Sequence, residues 1–166
     1  MTADQMERAL QALGTRLKEM HTESDIVIAG GAWMTLVLGS RGVTKDLDAY
    51  LSPPAEPVRR ATEQVAEELG LPSDWLNDSI KGFFFGTPPQ ILWRTYEGLR
   101  VYAVTTEYML ALKIFAARDA DRTDVKVLID HLGLVQVSEV LRIVEQYIPH
   151  TLLTPKHQYF AESCLE

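Results

Sequence analysis

Residues 30–48 read GGAWMTLVLGSRGVTKDLD, and this stretch decides how the rest of the chain is read. The apolar run Ile26-Val27-Ile28-Ala29 stops at Gly30-Gly31, a short apolar helix follows, and Gly39-Ser40-Arg41-Gly42 ends it. The next apolar segment opens with Asp46-x-Asp48 and continues Ala49-Tyr50-Leu51. Alternate residues of a strand share one face, so the two carboxylates point the same way. Like charges so placed repel unless a cation lies between them. Mg²⁺ bridging to substrate phosphates is the usual reason for such a pair, with Mn²⁺ as the alternative ion. On this reading Asp46 and Asp48 are the metal ligands. The alternative is a pair of solvent-facing residues on an edge strand.

Working outward, Met6, Leu10, Leu13, Leu17 and Met20 fall at helical spacing and predict a helix over 3–20. Residues 25–29 predict a buried strand, 31–38 a helix, 47–51 a second strand stopped by Ser52-Pro53-Pro54, and 56–69 an amphipathic helix closed by Gly70. Residues 71–89 read as an irregular loop with an aromatic cluster, in which Trp75-Leu76-Asn77 and Phe83-Phe84-Phe85 serve packing or stack on a base. Residues 91–95 and 99–104 predict a hairpin around Tyr96-Glu97-Gly98. Helices follow over 106–118, 123–132 and 138–147, with Thr105 or Thr106 as N-cap of the first. The last 17 residues lack strong periodicity and read as a surface wrap or partner contact, and Leu165-Glu166 read as a cloning remnant. The order α-β-α-β-α-β-β-α-α-α predicts an α+β fold: a small mixed sheet with flanking helices and a helical C-terminal half. One domain over 1–150 with a tail over 151–166 is expected.

The chain has 166 residues, enough for one real core. Its single cysteine, Cys164, excludes an intramolecular disulfide and fits a reducing cytoplasm. The N-terminus has no continuous apolar segment of the signal-peptide kind, and no run is long enough to span a membrane. A net charge of −7 argues against tight non-specific binding to DNA or RNA, which depends on phosphate neutralisation. It leaves room for a local cationic pocket that takes a nucleotide or a tRNA end.

Several further residues carry candidate chemistry. Glycines at 30 and 31 allow a sharp turn and close approach of a phosphate. Ser40, Arg41, Thr44 and Lys45 add donors, although Arg41 could equally pair with the aspartates. Lys113 is the only charge between Met109 and Ala117 in a helix whose apolar residues cover most of its circumference. A lysine so placed needs an anionic partner, a triphosphate or one of the aspartates. Asp119, Asp121, Asp124 and Asp130 accompany Arg118, Arg122 and Lys126, either as a capped, salt-bridged helix start or with a catalytic member. The four histidines lack metal-ligand spacing, and there is no Walker-type loop or Gly-x-Ser-x-Gly.

Gly30-Gly31 followed by Arg41-x-x-Thr44-x-Asp46-x-Asp48 resembles the signature of the DNA polymerase β-like nucleotidyltransferase superfamily. Glu107-Tyr108-Met109-Leu110-Ala111-Leu112-Lys113, Ala117-Arg118 and Asp121-x-x-Asp124-Val125 extend the likeness to a branch of bacterial nucleotidyltransferase-like proteins related to abortive-infection type II toxins. The resemblance covers residues 26–134 and implies the nucleotidyltransferase fold with two-metal transfer of NMP from an NTP. Asp46 and Asp48 would hold Mg²⁺. Gly30, Gly31, Ser40, Arg41, Thr44, Lys45 and Arg118 would cradle nucleotide, and Lys113 would neutralise the leaving pyrophosphate. The superfamily commonly has a third carboxylate on a later strand. Strands 91–95 and 99–104 carry none, so Asp121 or Asp124 would stand in. The expectation is a Mg²⁺-dependent nucleotidyltransferase, a toxin–antitoxin or phage-defence component, acting on tRNA, a protein or a small molecule. The alternative is an inactive relative that binds a nucleotide or protein partner. A protein partner or a second copy of the chain would complete the site.

Overall fold

Strand β1 (Ser24–Ile28) lies at the centre of a five-stranded mixed sheet in the order β3-β2-β1-β5-β4. The computed structural model describes all of residues 1–166 and divides into two compact units. The first comprises Met1–Phe84 and Gln90–Val104, and the second Phe85–Pro89 and Thr105–Glu166. The α+β class expected from the sequence holds.

In the first unit, β1 pairs antiparallel with β2 (Leu47–Leu51) and parallel with β5 (Leu99–Val104). Ile26, Val27 and Ile28 are all buried, the near-continuous apolar run of a strand covered on both faces. β2 alternates instead: Leu47, Ala49 and Leu51 are buried while Asp48 and Tyr50 are half-buried. Beyond β2 lies β3 (Leu76–Asn77), parallel to it with Asn77 opposite Asp48, and β4 (Gln90–Tyr96) forms the far edge. β2 is therefore flanked on both sides, which removes the edge-strand reading of the aspartate pair.

Helix α1 (Ala3–Glu19) opens with a capping box in which Thr2 and Gln5 satisfy each other's backbone N–H groups. Its buried stripe, Met6, Ala9, Leu10, Leu13 and Leu17, packs on α3 (Glu56–Leu69) and on the β4–β5 hairpin. At the hairpin turn the Gly98 amide donates to the Gly14 carbonyl at 3.1 Å, so helix and turn meet backbone to backbone. The large buried aromatics are satisfied at their polar ends. Trp33, in α2 (Gly30–Leu36), donates to the Val104 carbonyl at 2.8 Å, and Trp75 donates to the Thr62 carbonyl at 3.1 Å.

The second unit is helical: α4 (Thr106–Ala116), α5 (Arg122–Leu132), α6 (Val137–Tyr147) and α7 (Pro155–Leu165). Thr105 caps α4 by accepting from the Tyr108 amide, as expected. α4 is buried from Tyr108 through Ile114, with Tyr147 edge-on to Tyr108 and Phe85 edge-on to Phe115. The chain then reverses at Ala117, whose φ of 46° is left-handed.

The C-terminal segment, read from the sequence as a surface wrap or partner contact without strong periodicity, forms helix α7 over residues 155–165. Thr154 begins it, Pro155 occupies its first turn, and His157, Phe160, Ala161 and Cys164 are buried. The His157 Nδ1 accepts from the Thr154 amide at 2.9 Å. The ring proton therefore sits on Nε2 and donates to the Phe115 carbonyl at 3.1 Å, while the ring stacks on Phe115. This histidine clamps α7 to the end of α4.

Candidate functional site

The end of β1 and the start of β2 place the sequence's glycine pair against its aspartate pair. The Ala29 amide donates to the Asp48 carbonyl at 3.2 Å, which holds the two chain segments together. Gly30 follows with φ +65°, a left-handed conformation that favours glycine. A Cβ there would stand 3.0 Å from Asp48 Oδ2. A Cβ on Gly31 would stand 2.5 Å from Thr44 Oγ1 and 3.3 Å from an Arg41 guanidinium nitrogen. Both glycines are thus required by close approach, the first to a carboxylate and the second to a threonine hydroxyl and an arginine. The Thr44 hydroxyl donates to the Asp46 carbonyl at 3.3 Å, and the Thr44 amide donates to the Met1 carbonyl at 3.0 Å. The N-terminal ammonium returns a bond to the Thr44 carbonyl, so the loop carrying the aspartates is tied to the start of the chain.

Asp48 lies in β2 and Asp46 immediately precedes it; both are half-buried. Burial, then the neighbouring Asp48 charge, pushes the Asp46 carboxyl above its usual range, and Lys45 opposes this only in part. Two residues that the sequence did not mark as site residues join them. Asn77 hydrogen-bonds the Asp46 side chain. Ser79 opens a 3-10 turn (Ser79–Phe83), and its hydroxyl lies 2.9 Å from Asp48 Oδ1 and 2.6 Å from Asn77 Oδ1. The Ser79 amide also donates to Asn77 Oδ1 at 3.1 Å. Asn77 and Ser79 therefore link the two carboxylates through one amide and one hydroxyl. The only sequence signal for them was a short polar run after Trp75-Leu76.

These donors are all oxygens, the chemistry of a hard cation. No group of three or more His, Cys, Asp or Glu side chains that could hold a metal exists in the structure. Two carboxylates fit Mg²⁺, which keeps several waters and completes its shell with substrate phosphates. Lys45 is exposed on the same loop. Ser40, also exposed, donates through both its amide and its hydroxyl to the Met34 carbonyl and so closes α2.

The remaining predicted residues lie in the second unit. Lys113 Nζ is 2.6 Å from Asp121 Oδ1 and 2.7 Å from Asp124 Oδ2, and all three side chains are buried. Arg118 Nε reaches Asp121 Oδ2 at 2.7 Å from the surface. Of the two anionic partners anticipated for Lys113, the structure provides the aspartates. Asp121 begins α5 without a side-chain cap, because its carboxylate is committed to Lys113 and Arg118. Burial alone would raise its pKa, but Lys113 and then Arg118 outweigh this and hold it below the usual carboxylate range. The structure thus gathers the predicted residues into two sets: Gly30, Gly31, Arg41, Thr44, Asp46 and Asp48 in one unit, and Lys113, Arg118, Asp121 and Asp124 in the other.

No helix is long and apolar enough to cross a membrane. Comparison with models of protein families, with curated proteins and with solved structures returned no match.

Proposed function

We propose that this chain is a Mg²⁺-dependent nucleotidyltransferase of the polymerase β-like kind, moving NMP from an NTP to an acceptor hydroxyl. The observation that carries this reading is the Gly30 turn seated against Asp48, beside an Asp46 whose carboxyl is pushed up by burial and by that neighbour. Such a pair is disfavoured without a counter-charge, and a divalent cation supplies one. When bound, the cation would polarise the transferring phosphoryl group. Asp46 and Asp48 would hold it, with Asn77 and Ser79 fixing their orientation. The Gly30-Gly31 turn keeps side chains away from Asp48, and Arg41, over Gly31, would meet phosphate oxygens. The toxin–antitoxin or phage-defence role and tRNA as acceptor belong to the same proposal and rest on the likeness of the Lys113 and Asp121-x-x-Asp124 block, and a cytoplasmic setting rests on the single cysteine.

A second reading is a silent relative that binds a nucleotide or a partner protein. It is favoured by β4 and β5, which contain no carboxylate, and by a Lys113 already paired with two aspartates. Transfer of label from α-phosphate-labelled NTPs to total tRNA or protein separates the two. Incorporation lost in Asp48→Asn supports the enzyme. Nucleotide binding without incorporation into any acceptor supports the silent relative. Growth arrest on expression, relieved by Asp48→Asn, is the expected signature of the toxin role.

A further inference from the structure

Three hydroxyl groups lie on the segments that carry the candidate residues, and they differ in what they donate to. Ser40 and Thr44 donate to backbone carbonyls, those of Met34 and Asp46. The Ser79 hydroxyl lies 2.9 Å from Asp48 Oδ1, an oxygen of a carboxylate that would hold the metal. A hydroxyl has one proton, and that of Ser79 faces two acceptors, Asp48 Oδ1 and Asn77 Oδ1. Its position is fixed rather than wandering. Asn77 stands opposite Asp48 in the β2–β3 pair, and the Ser79 amide is bound to the Asn77 side chain. Ser79 is nevertheless exposed, as are Lys81, Gly82 and Phe83 after it, so the solvent side can accept a bulky adduct. A fixed, exposed hydroxyl hydrogen-bonded to a carboxylate that would hold the metal, beside the residues that would hold the donor, is the arrangement expected of an acceptor.

We propose, on the basis of the nucleotidyltransferase reading, that Ser79 Oγ is an acceptor for the chain's own transfer reaction. Ser79 Oγ attacks the α-phosphorus of the NTP and an O–P bond forms. The bond from that phosphorus to the oxygen bridging the β-phosphate breaks, and pyrophosphate leaves with the electron pair. The serine proton is lost to water. The product is a phosphodiester of NMP on Ser79. It adds negative charge beside two carboxylates and occupies the place where further donor would bind, so the reaction stops at one NMP per chain.

The test uses the purified full-length chain, each of the four NTPs, and Mg²⁺ or Mn²⁺, read by intact mass and peptide mapping. In parallel, thermal shift with the α,β-methylene analogue of each NTP reads donor binding without transfer. The expected result is a mass gain of one NMP located on Ser79, lost in Ser79→Ala and Asp48→Asn and retained in Ser79→Thr. A thermal shift with the analogue but no mass gain overturns the proposal and leaves the donor site standing. So does a mass gain on another residue or one that persists in Ser79→Ala. Neither a shift nor a mass gain overturns both the proposal and the reading beneath it.

Discussion

Lys113→Met removes one charge from a buried cluster while keeping an unbranched side chain of similar length. In the native chain the ammonium is in contact with Asp121 at 2.6 Å and Asp124 at 2.7 Å, with all three residues no more than 4 % exposed. Removing one partner of a buried ion pair typically costs about 3–5 kcal/mol, because the remaining charge stays out of water. Arg118 still reaches Asp121, so the lower end of that range, about 3 kcal/mol, is the expectation. Against a typical total of about 5–15 kcal/mol, this loss is large. Replacing all three charges, in Lys113→Met with Asp121→Asn and Asp124→Asn, should recover most of it, since no uncompensated charge remains. Urea denaturation followed by circular dichroism measures both variants. A loss below about 1 kcal/mol in Lys113→Met, the level of a surface pair, would refute the structural role. If that variant instead kept its stability and lost NTP binding, Lys113 would be a phosphate ligand, as the family likeness implies.

Asp46→Asn should stabilise the metal-free chain by about 0.5–2 kcal/mol, the usual yield of relieving an unfavourable functional site. An acid whose folded-state pKa is raised lowers stability as pH rises above its ordinary value of 3.8, so the gain should be present at pH 7 and vanish toward pH 3 in denaturation curves. Gly31→Ala puts a Cβ 2.5 Å from Thr44 Oγ1 and should cost about 1–3 kcal/mol, with part recovered by adding Thr44→Ala; full stability in the single variant would contradict the packing. Asp121 has the opposite pH signature to Asp46. Its pKa is depressed, so its contribution is complete above 3.8 and lost as pH falls through the folded value; Asp121→Asn should flatten that acid limb in a pH-dependent melting series.

Elements with a period long enough to count were legible in the sequence. The strands at 47–51 and 99–104 and the helix at 56–69 have the residues expected of them, because alternation and 3.6-residue spacing are local properties. β3 was not legible, since two residues carry no period; it exists because Leu76 and Asn77 complete the sheet beside β2. α7 was missed for a different reason. Its buried side mixes His157, Ala161 and Cys164 with Phe160 while Tyr159 is exposed, so hydrophobicity does not mark a face. Thr154-Pro155, an N-cap followed by a first-turn proline, was the available signal. In the site, the association of Gly30-Gly31 with Asp46-x-Asp48 was readable because a strand, a short helix with its turn, and a second strand return the chain to the same place. The Asn77–Ser79 link was not readable, because it depends on β3. The need of Lys113 for an anion could be read from its apolar helix, whereas the choice of Asp121 and Asp124 required the reversal at Ala117.

Asp46 and Asp48 are proposed to form a cation-dependent NTP site. Thermal unfolding with each of the four NTPs, with and without Mg²⁺ or Mn²⁺, on the wild type and on the Asp46→Asn/Asp48→Asn variant, tests it without knowledge of the acceptor. A ligand at a hundredfold its Kd adds about 2.7 kcal/mol to the native state. For a chain of this size that is about 5–10 °C in Tm. Such a rise is expected with at least one NTP, only when the divalent cation is present and only in the wild type. No rise at millimolar NTP, or a rise of equal size in the double variant, would contradict it.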